Sequence, residues 1–496
     1  MAKKDNVFSY GQAATPNAEQ KYSVIRWGWA GLNKSDTVDT GQITDCSGVN
    51  IEPPYVMSSL IPHTFTSYSE PISVFGFGER LFVIYRNSEK IKIDCILESG
   101  TKYTGTISNA LGNAEDFKPR TMVQFNVASN TENIVEANYI RKLLIFPDAY
   151  SIDFDINGNF EPKSLGNTYP DIKYASVYAS RVFGVDDNLV YASSYNDYAD
   201  WDLDTADEYS EANAWVSMSQ SNVKADGVFT AITTYDNHVV LFKRDYMQLV
   251  YNNKNPFRIV DVGEFGCDNP YALTECGGIL YFASSDAIYA YGGGSVTKIS
   301  DELDIKSFRG CVLGSWEDTL YVSVGEGIYT YSKGIWSFCG AVGGGVIQFA
   351  SCDYGISALH KDGKIRFYNW SEDNKYISHT WNKEYGSADG GEWWFESDLM
   401  ALGSLNVRRV KKISLLCEKD DGAEVNIYLL KNDEKFDPTK SQLISHSDKD
   451  GRGLIRTLVR SFSSYMHKIR ISGRGKVKIY AAEIQISWGG ELYVEG

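Results

Sequence analysis

Hydrophobic and polar positions along this chain change places in short bursts, most legibly between Asn269 and Asp304. An apolar strand there turns at Gly277-Gly278 and resumes over Ile279–Ala283. It turns again at Ser284–Asp286, resumes over Ala287–Tyr291, and passes through Gly292–Gly294 into Val296–Ile299. Short runs of Ile, Tyr, Phe and Val punctuated by Gly, Ser and Asp predict antiparallel strands joined by tight turns. No helical face can be drawn through them. Four strands in about 40 residues is the size of one β-propeller blade.

The burst recurs. A compact apolar strand appears seven times: Leu81–Tyr85, Leu143–Phe146, Val182–Val185, Val239–Phe242, Leu280–Ala283, Leu320–Ser323 and Ser357–His360. Successive starts differ by 62, 39, 57, 41, 40 and 37 residues, so four of the six gaps lie near the blade period. The two long gaps contain polar stretches, Ser99–Asn133 and Tyr195–Ser219, which read as loop insertions. The expectation is an all-β fold: a β-propeller of seven blades, with six or eight as alternatives, over residues 72–385, its ring removing exposed sheet edges. Lys21–Trp29 is the candidate closing strand.

Flanking segments complete the layout. Residues 1–71 read as an N-terminal arm followed by a loop-rich segment carrying Pro53-Pro54 and Pro62. Residues 386–391, GSADGG, read as a flexible linker, and 392–496 as a C-terminal β-sandwich. Its expected strands are Trp393–Glu396, Arg409–Glu418, Glu424–Leu430, Gly453–Val459, His467–Ser472, Val477–Tyr480 and Ala482–Ser487.

Composition narrows the function classes. The 496 residues are 43% hydrophobic and 14% aromatic, as expected of a folded, strand-rich chain. No apolar run is long enough for a membrane helix, so no membrane anchor is expected. The N-terminus lacks the apolar stretch of a secretory signal. The eight Cys are scattered without a C-x₂-C pair, which predicts buried, reduced thiols in a protein made in cytoplasm. Net charge is −16 but uneven. Residues 391–496 hold 17 basic and 15 acidic residues, net +2, leaving 31 basic against 49 acidic elsewhere, net −18. Such a body repels nucleic acid, so specific DNA binding is not expected.

Motifs of chemistry are sparse. Asp153–Gly158 copies the first half of a calcium loop, but its twelfth position is Ser164 where a bidentate Glu is required, and a hairpin turn explains it better. Ser351–Gly355 has the core of an Asp-box turn without its closing aromatic. Gly292–Lys298 lacks P-loop spacing. The six His are dispersed, and no nucleophile, zinc or paired-carboxylate signature stands out. No catalytic residue, metal or cofactor is expected, and the chain is read as a non-enzyme. The exceptional stretch is Tyr195–Trp215, where Asp197, Asp200, Asp202, Asp204, Asp207, Glu208 and Glu211 alternate with aromatics and no Lys or Arg. It reads as a solvated rim loop, a contact loop or an acidic channel lining.

Val190–Trp201, VYASSYNDYADW, resembles a motif of the β-propeller virion proteins of tailed bacteriophages. Gly227–Tyr251, with Phe242-Lys243 ending a strand, is similar to a blade of that family. Gly277–Ile299, leading into Lys298-Ile299-Ser300, is similar to the next, and Trp29–Asn50 to the family's opening segment. The long polar stretch at 99–133 and the N-terminal arm depart from the family. The resemblance implies a virion location, as a tail nozzle, tail hub or packaged-DNA-stabilising protein. It also implies a homo-oligomeric ring, a hexamer favoured, that contacts other tail or neck proteins while DNA passes without specific binding. It offers no catalytic residues. The alternatives are a carbohydrate- or receptor-binding propeller and a propeller glycosidase.

Overall fold

A computed structural model describes residues 23–27, 29–35, 42–88, 90–107, 120–128, 139–147, 150–154, 160–166, 169–203, 210–217, 227–371, 383–398, 408–431, 434–447, 451–459 and 463–488. Seven four-stranded antiparallel sheets follow one another between Glu70 and Trp370, and each is a blade. Their first strands are Glu70–Phe77, Thr121–Ala128, Tyr174–Tyr178, Phe229–Tyr235, Leu273–Cys276, Val312–Trp316 and Val346–Cys352. The chain is thus a seven-bladed propeller joined to a β-sandwich.

The seven apolar bursts of the sequence lie on the second strands, from Arg80–Asn87 in the first blade to Gly355–His360 in the seventh. A second strand has sheet on both sides and neighbouring blades on both faces. Arg181–Val185 and Gly355–His360 are therefore buried at every residue, and such strands read as continuous apolar runs instead of alternations. First strands line the propeller axis, where Tyr174–Tyr178 meets Phe229–Tyr235 and Val346–Cys352 meets Glu70–Phe77.

Ring closure differs from expectation. His63–Ser67, not Lys21–Trp29, supplies the fourth strand of the seventh blade, pairing with Lys364–Trp370. An outermost strand needs little apolar character, so HTFTS, half-buried or exposed throughout, gave no periodic signal. The closure is bolted by Asp94, fully buried in the first blade. Its carboxylate accepts hydrogen bonds from the hydroxyls of Tyr68 (2.8 Å), Tyr85 (3.2 Å) and Thr104 (2.7 Å) and pairs with Lys102 Nζ at 2.5 Å. Tyr68 directly follows the closing strand, so these bonds tie the seventh blade to the first.

The sandwich also differs. Residues 1–71 are not only arm and loop: Ser23–Trp27, Ile43–Ser47, Val49–Glu52 and Tyr55–Ser58 are built into the two sandwich sheets. One sheet runs Val49–Glu52, Tyr55–Ser58, Val477–Trp488, Arg408–Lys419 and Gly451–Leu458, with Ser23–Trp27 also pairing Val477–Trp488. The other runs Ile43–Ser47, Trp393–Ser397, His467–Arg474, Glu424–Lys431 and Gln442–Ser447. The two short strands expected over 477–487 are a single strand, Val477–Trp488.

Two further expectations are corrected. The stretch 99–133 is not simply an insertion, because it contains Lys102–Ile107, the fourth strand of blade one, and the first strand of blade two. Residues 108–119 and 129–138 lie outside the described residues. The segment 386–391 is no free linker: Gly386 N–H donates to Ser59 O at 3.0 Å, Ala388 N–H to Cys339 O at 2.8 Å, and Ser387 Oγ meets Ser47 Oγ at 2.7 Å. Ser387 and Ala388 are buried because they fill the junction between propeller and sandwich. One apolar core accordingly runs from blades four to six into the sandwich, through Trp29, Leu32 and Ile43. All eight Cys are free and buried.

Candidate functional site

The acidic stretch joins the third strand of blade three, Val190–Ala192, to its fourth, Trp215–Val216. Its aromatics and acids divide the work. Tyr198 and Trp201 turn inward onto the interface of blades two and three, where Trp201 Nε1 donates to Tyr198 O at 2.9 Å and the Trp201 ring lies 5.3 Å from that of Tyr169. Of the described acids, Asp197, Asp202 and Glu211 are exposed and Asp200 is half-buried. Asp197 accepts the Ala199 N–H at 2.8 Å and Asp200 the Asp202 N–H at 3.1 Å, so these carboxylates cap turns of their own loop. Glu211 pairs with Lys254 at 2.5 Å. Asp204, Asp207 and Glu208 lie outside the described residues.

What holds this loop is a residue the sequence did not single out. Arg181 begins the second strand of blade three and is completely buried. Its Nη1 donates to Ser193 O at 2.5 Å and Asn213 O at 2.8 Å, and its Nη2 to Glu211 O. The guanidinium lies 5.5 Å from the Phe257 ring and 6.0 Å from that of Tyr195. Burial pushes its pKa down. Three backbone acceptors and two aromatic faces nonetheless suit a planar, always-charged cation better than they would a lysine. Both ends of the loop are fastened to one buried charge. The only sequence signal was a lone Arg ahead of an apolar burst.

A second feature is the cavity on the propeller axis, about 400 Å³, walled by first strands and their approaches. Phe75, Phe77, Tyr271 and Phe349 supply aromatic surface, with Arg120, Thr274 and Gln348 between them. Hydroxyls and amides of this wall stitch blade to blade. Thr274 Oγ1 meets Ser315 Oγ at 3.0 Å, Ser351 Oγ donates to Ser315 O, and Gln348 Oε1 accepts the Val74 N–H at 3.2 Å. Gly76 permits this closeness: a Cβ there would stand 1.9 Å from Ser351 O. A cavity of this size accepts a small molecule and not a duplex. Asp197, Asp200, Asp202 and Glu211 are not among the residues that wall this cavity.

The remaining motifs resolve into structure. Asp153 faces Lys142 at 2.9 Å, and its strand forms a hairpin with Phe160–Ser164; residues 155–159 lie outside the described residues. Ser351–Gly355 spans a hairpin turn in which Cys352 opposes Gly355. Gly292–Lys298 turns the last hairpin of blade five, where Tyr291 opposes Val296. His360 is buried against the Tyr368 hydroxyl at 3.1 Å, and burial lowers its pKa to about 4. Among the described residues no group of three His, Cys, Asp or Glu side chains could hold a metal ion. Among the described residues no helix is long and apolar enough to cross a membrane.

No protein-family model and no curated protein matches this chain. Solved structures similar to it are propellers at low identity. A virginiamycin B lyase from Staphylococcus aureus shares 11% identity over 62% of this chain and 98% of its own, with a TM-score of 0.41. A streptogramin B lyase shares 10% over 63% and 97%, also at 0.41. The extracellular domain of a two-component-system protein from B. thetaiotaomicron shares 9% over 68% and 44%, again at 0.41. These likenesses concern the fold alone.

Proposed function

We propose that this chain is a structural subunit of a tailed-bacteriophage virion, part of the nozzle, hub or DNA-stabilising ring of the tail or neck. The observation that carries the reading is where the virion-like stretches fall. Val190–Trp201 enters the loop pinned by Arg181, and Gly227–Tyr251 and Gly277–Ile299 cover three strands of blade four and three of blade five. Trp29–Asn50 crosses from the sandwich to blade six, where Leu32 N–H donates to Trp336 O and Gly48 N–H to Phe338 O, both at 3.1 Å. These are the joints that fix blade contour and domain placement, so a shared pattern there speaks for a shared architecture. A propeller axis this narrow puts any DNA path between subunits of a ring, not through one propeller. An acidic wall suits such a path because it adds no phosphate contacts. Mass spectrometry and immunogold labelling of purified particles test the reading. Stoichiometric copies at the tail or neck support it, and a chain absent from particles overturns it.

A second reading is a carbohydrate- or receptor-binding propeller. It is favoured by the axial cavity, where Phe75, Tyr271 and Phe349 offer stacking faces beside Gln348 and Thr274. A glycan array separates the two, since a purely structural subunit binds no sugar.

A further inference from the structure

The axial cavity differs in charge from the body that surrounds it. Residues outside 391–496 carry a net charge of −18, yet no Asp, Glu, Lys or His stands among the described residues that wall the cavity. The single charged wall residue is Arg120, which immediately precedes the first strand of blade two. That cation is held in place. Its backbone N–H donates to Phe146 O at 2.8 Å, its Nη1 donates to the Tyr174 hydroxyl at 2.6 Å, and its guanidinium lies 5.5 Å from the Tyr174 ring. Tyr174 is itself buried. The tether engages one guanidinium N–H, and the exposed side chain has no ion pair with a described residue.

A second wall residue offers a donor of its own. Gln348 is only 5% exposed, and its Oε1 accepts the Val74 N–H at 3.2 Å, which sets the orientation of the amide. Its Nε2 then has no hydrogen-bond partner among the described residues. A nearly buried amide nitrogen left without an acceptor is unfavourable, and an oxygen bound in the cavity would satisfy it. Neighbouring hydroxyls are already engaged: Ser315 Oγ donates to Glu275 O at 2.5 Å, and Ser351 Oγ to Ser315 O. Tyr271 comes from blade five towards Arg120. Burial pushes its phenol pKa up, and the guanidinium opposes that shift.

We propose that the axial cavity binds a small ring-bearing carboxylate, with its carboxylate on Arg120, a second oxygen on Gln348 Nε2 and its ring against the aromatic wall. A guanidinium matches a carboxylate in geometry as well as charge, because its parallel N–H groups meet both oxygens. Phe75, Tyr271 and Phe349 supply faces for the ring. At about 400 Å³ the cavity has the size of a small-molecule pocket. A cation is disfavoured, because Arg120 repels it and no acid on the wall offsets that repulsion. Acidic sugars and aromatic acids share the chemistry that these groups recognise. The inference rests on the second reading, in which this cavity takes a ligand, and adds the charge that the ligand carries.

Isothermal titration calorimetry on the full chain tests it, with glucuronate, benzoate, glucose and benzylamine as probes at about 50 mM salt, where charges are weakly screened. Glucuronate or benzoate is expected to bind with a Kd of about 1 mM or tighter, and the tighter of the two tells a sugar acid from an aromatic one. Glucose and benzylamine should bind at least about tenfold more weakly. Two variants address the donors, Arg120→Met and Gln348→Glu. The second keeps an oxygen for the Val74 N–H and replaces the amide donor by an acceptor. Each should weaken acid binding at least about tenfold, with a thermal midpoint near that of the wild type. If Arg120→Met lowers the midpoint, Gln348→Glu decides alone. A wild type that binds neither acid, or acid binding that both variants leave unchanged, would overturn the inference. A chain that binds glucose as tightly as glucuronate, unaffected by Arg120→Met, refutes the charge assignment and leaves the carbohydrate reading standing. One that binds no probe and no arrayed glycan refutes both.

Discussion

Replacing Asp94 by alanine should open the ring at its seam. The carboxylate is fully buried and receives three hydroxyl donors and one ammonium. Those partners differ in what they lose. Lys102 is nearly half exposed and Thr104 is exposed, so both can return to water at little cost. Tyr68 and Tyr85 are half-buried, and burial together with the nearby carboxylate raises both phenol pKa values, that of Tyr85 to about 12. Their hydroxyls lose charge-assisted bonds of about 1.5–3 kcal/mol each, so Asp94→Ala should cost about 3–6 kcal/mol in all. Lys102→Met leaves the buried carboxylate its three hydroxyl donors but takes away its counter-charge, and should cost about 2–3 kcal/mol. Urea unfolding followed by tryptophan fluorescence gives the totals, and amide exchange at His63–Ser67 reports the seam itself. An Asp94→Ala protein within about 0.5 kcal/mol of wild type would refute the bolt. So would a destabilised variant whose closing strand exchanges no faster than before.

Other consequences are sharper at single sites. His360 stays neutral in the folded chain down to about pH 4, whereas an unfolded imidazole titrates near 6.5. The stability it contributes is complete above pH 6.5 and is lost as pH falls towards 4, by up to about 3 kcal/mol. His360→Gln should flatten the urea midpoint across that window, and an unaltered pH profile would contradict the assignment. Gly76→Ala drives a Cβ against Ser351 O and should cost about 3 kcal/mol, while Gly292→Ala, with nothing within 4 Å, should be near neutral. Equal thermal midpoints for the two would refute the close approach. Arg181→Met removes charge-assisted bonds at both ends of the blade-three loop. Two of them at about 1.5 kcal/mol each imply roughly a hundredfold rise in the open population, read as faster limited proteolysis within 193–217. A loop that resists protease as before would show that Arg181 does not hold it.

The propeller was legible because its information is local. Each blade repeats a turn and a second strand with a buried apolar centre, mostly about 40 residues apart, so all seven bursts could be counted without knowing which strands pair. The parts that escaped depend on distant partners. Trp27 pairs with Ala482 and Val56 with Ile479, and strands as short as VNIE and YVMS alternate over too few residues to stand out. His63–Ser67 escaped for another reason: an outermost strand is half solvent-facing, so its composition is that of a loop. The acidic loop was visible as composition, yet its fastening was not. A buried arginine held by three backbone carbonyls is specified by fold geometry, and carbonyls carry no residue code.

Electron cryomicroscopy of intact particles bears most directly on the proposed role. Several copies of this seven-bladed chain are expected around the tail or neck axis, with the DNA path between subunits. A particle in which the chain is missing, or in which DNA threads a single propeller, would contradict it.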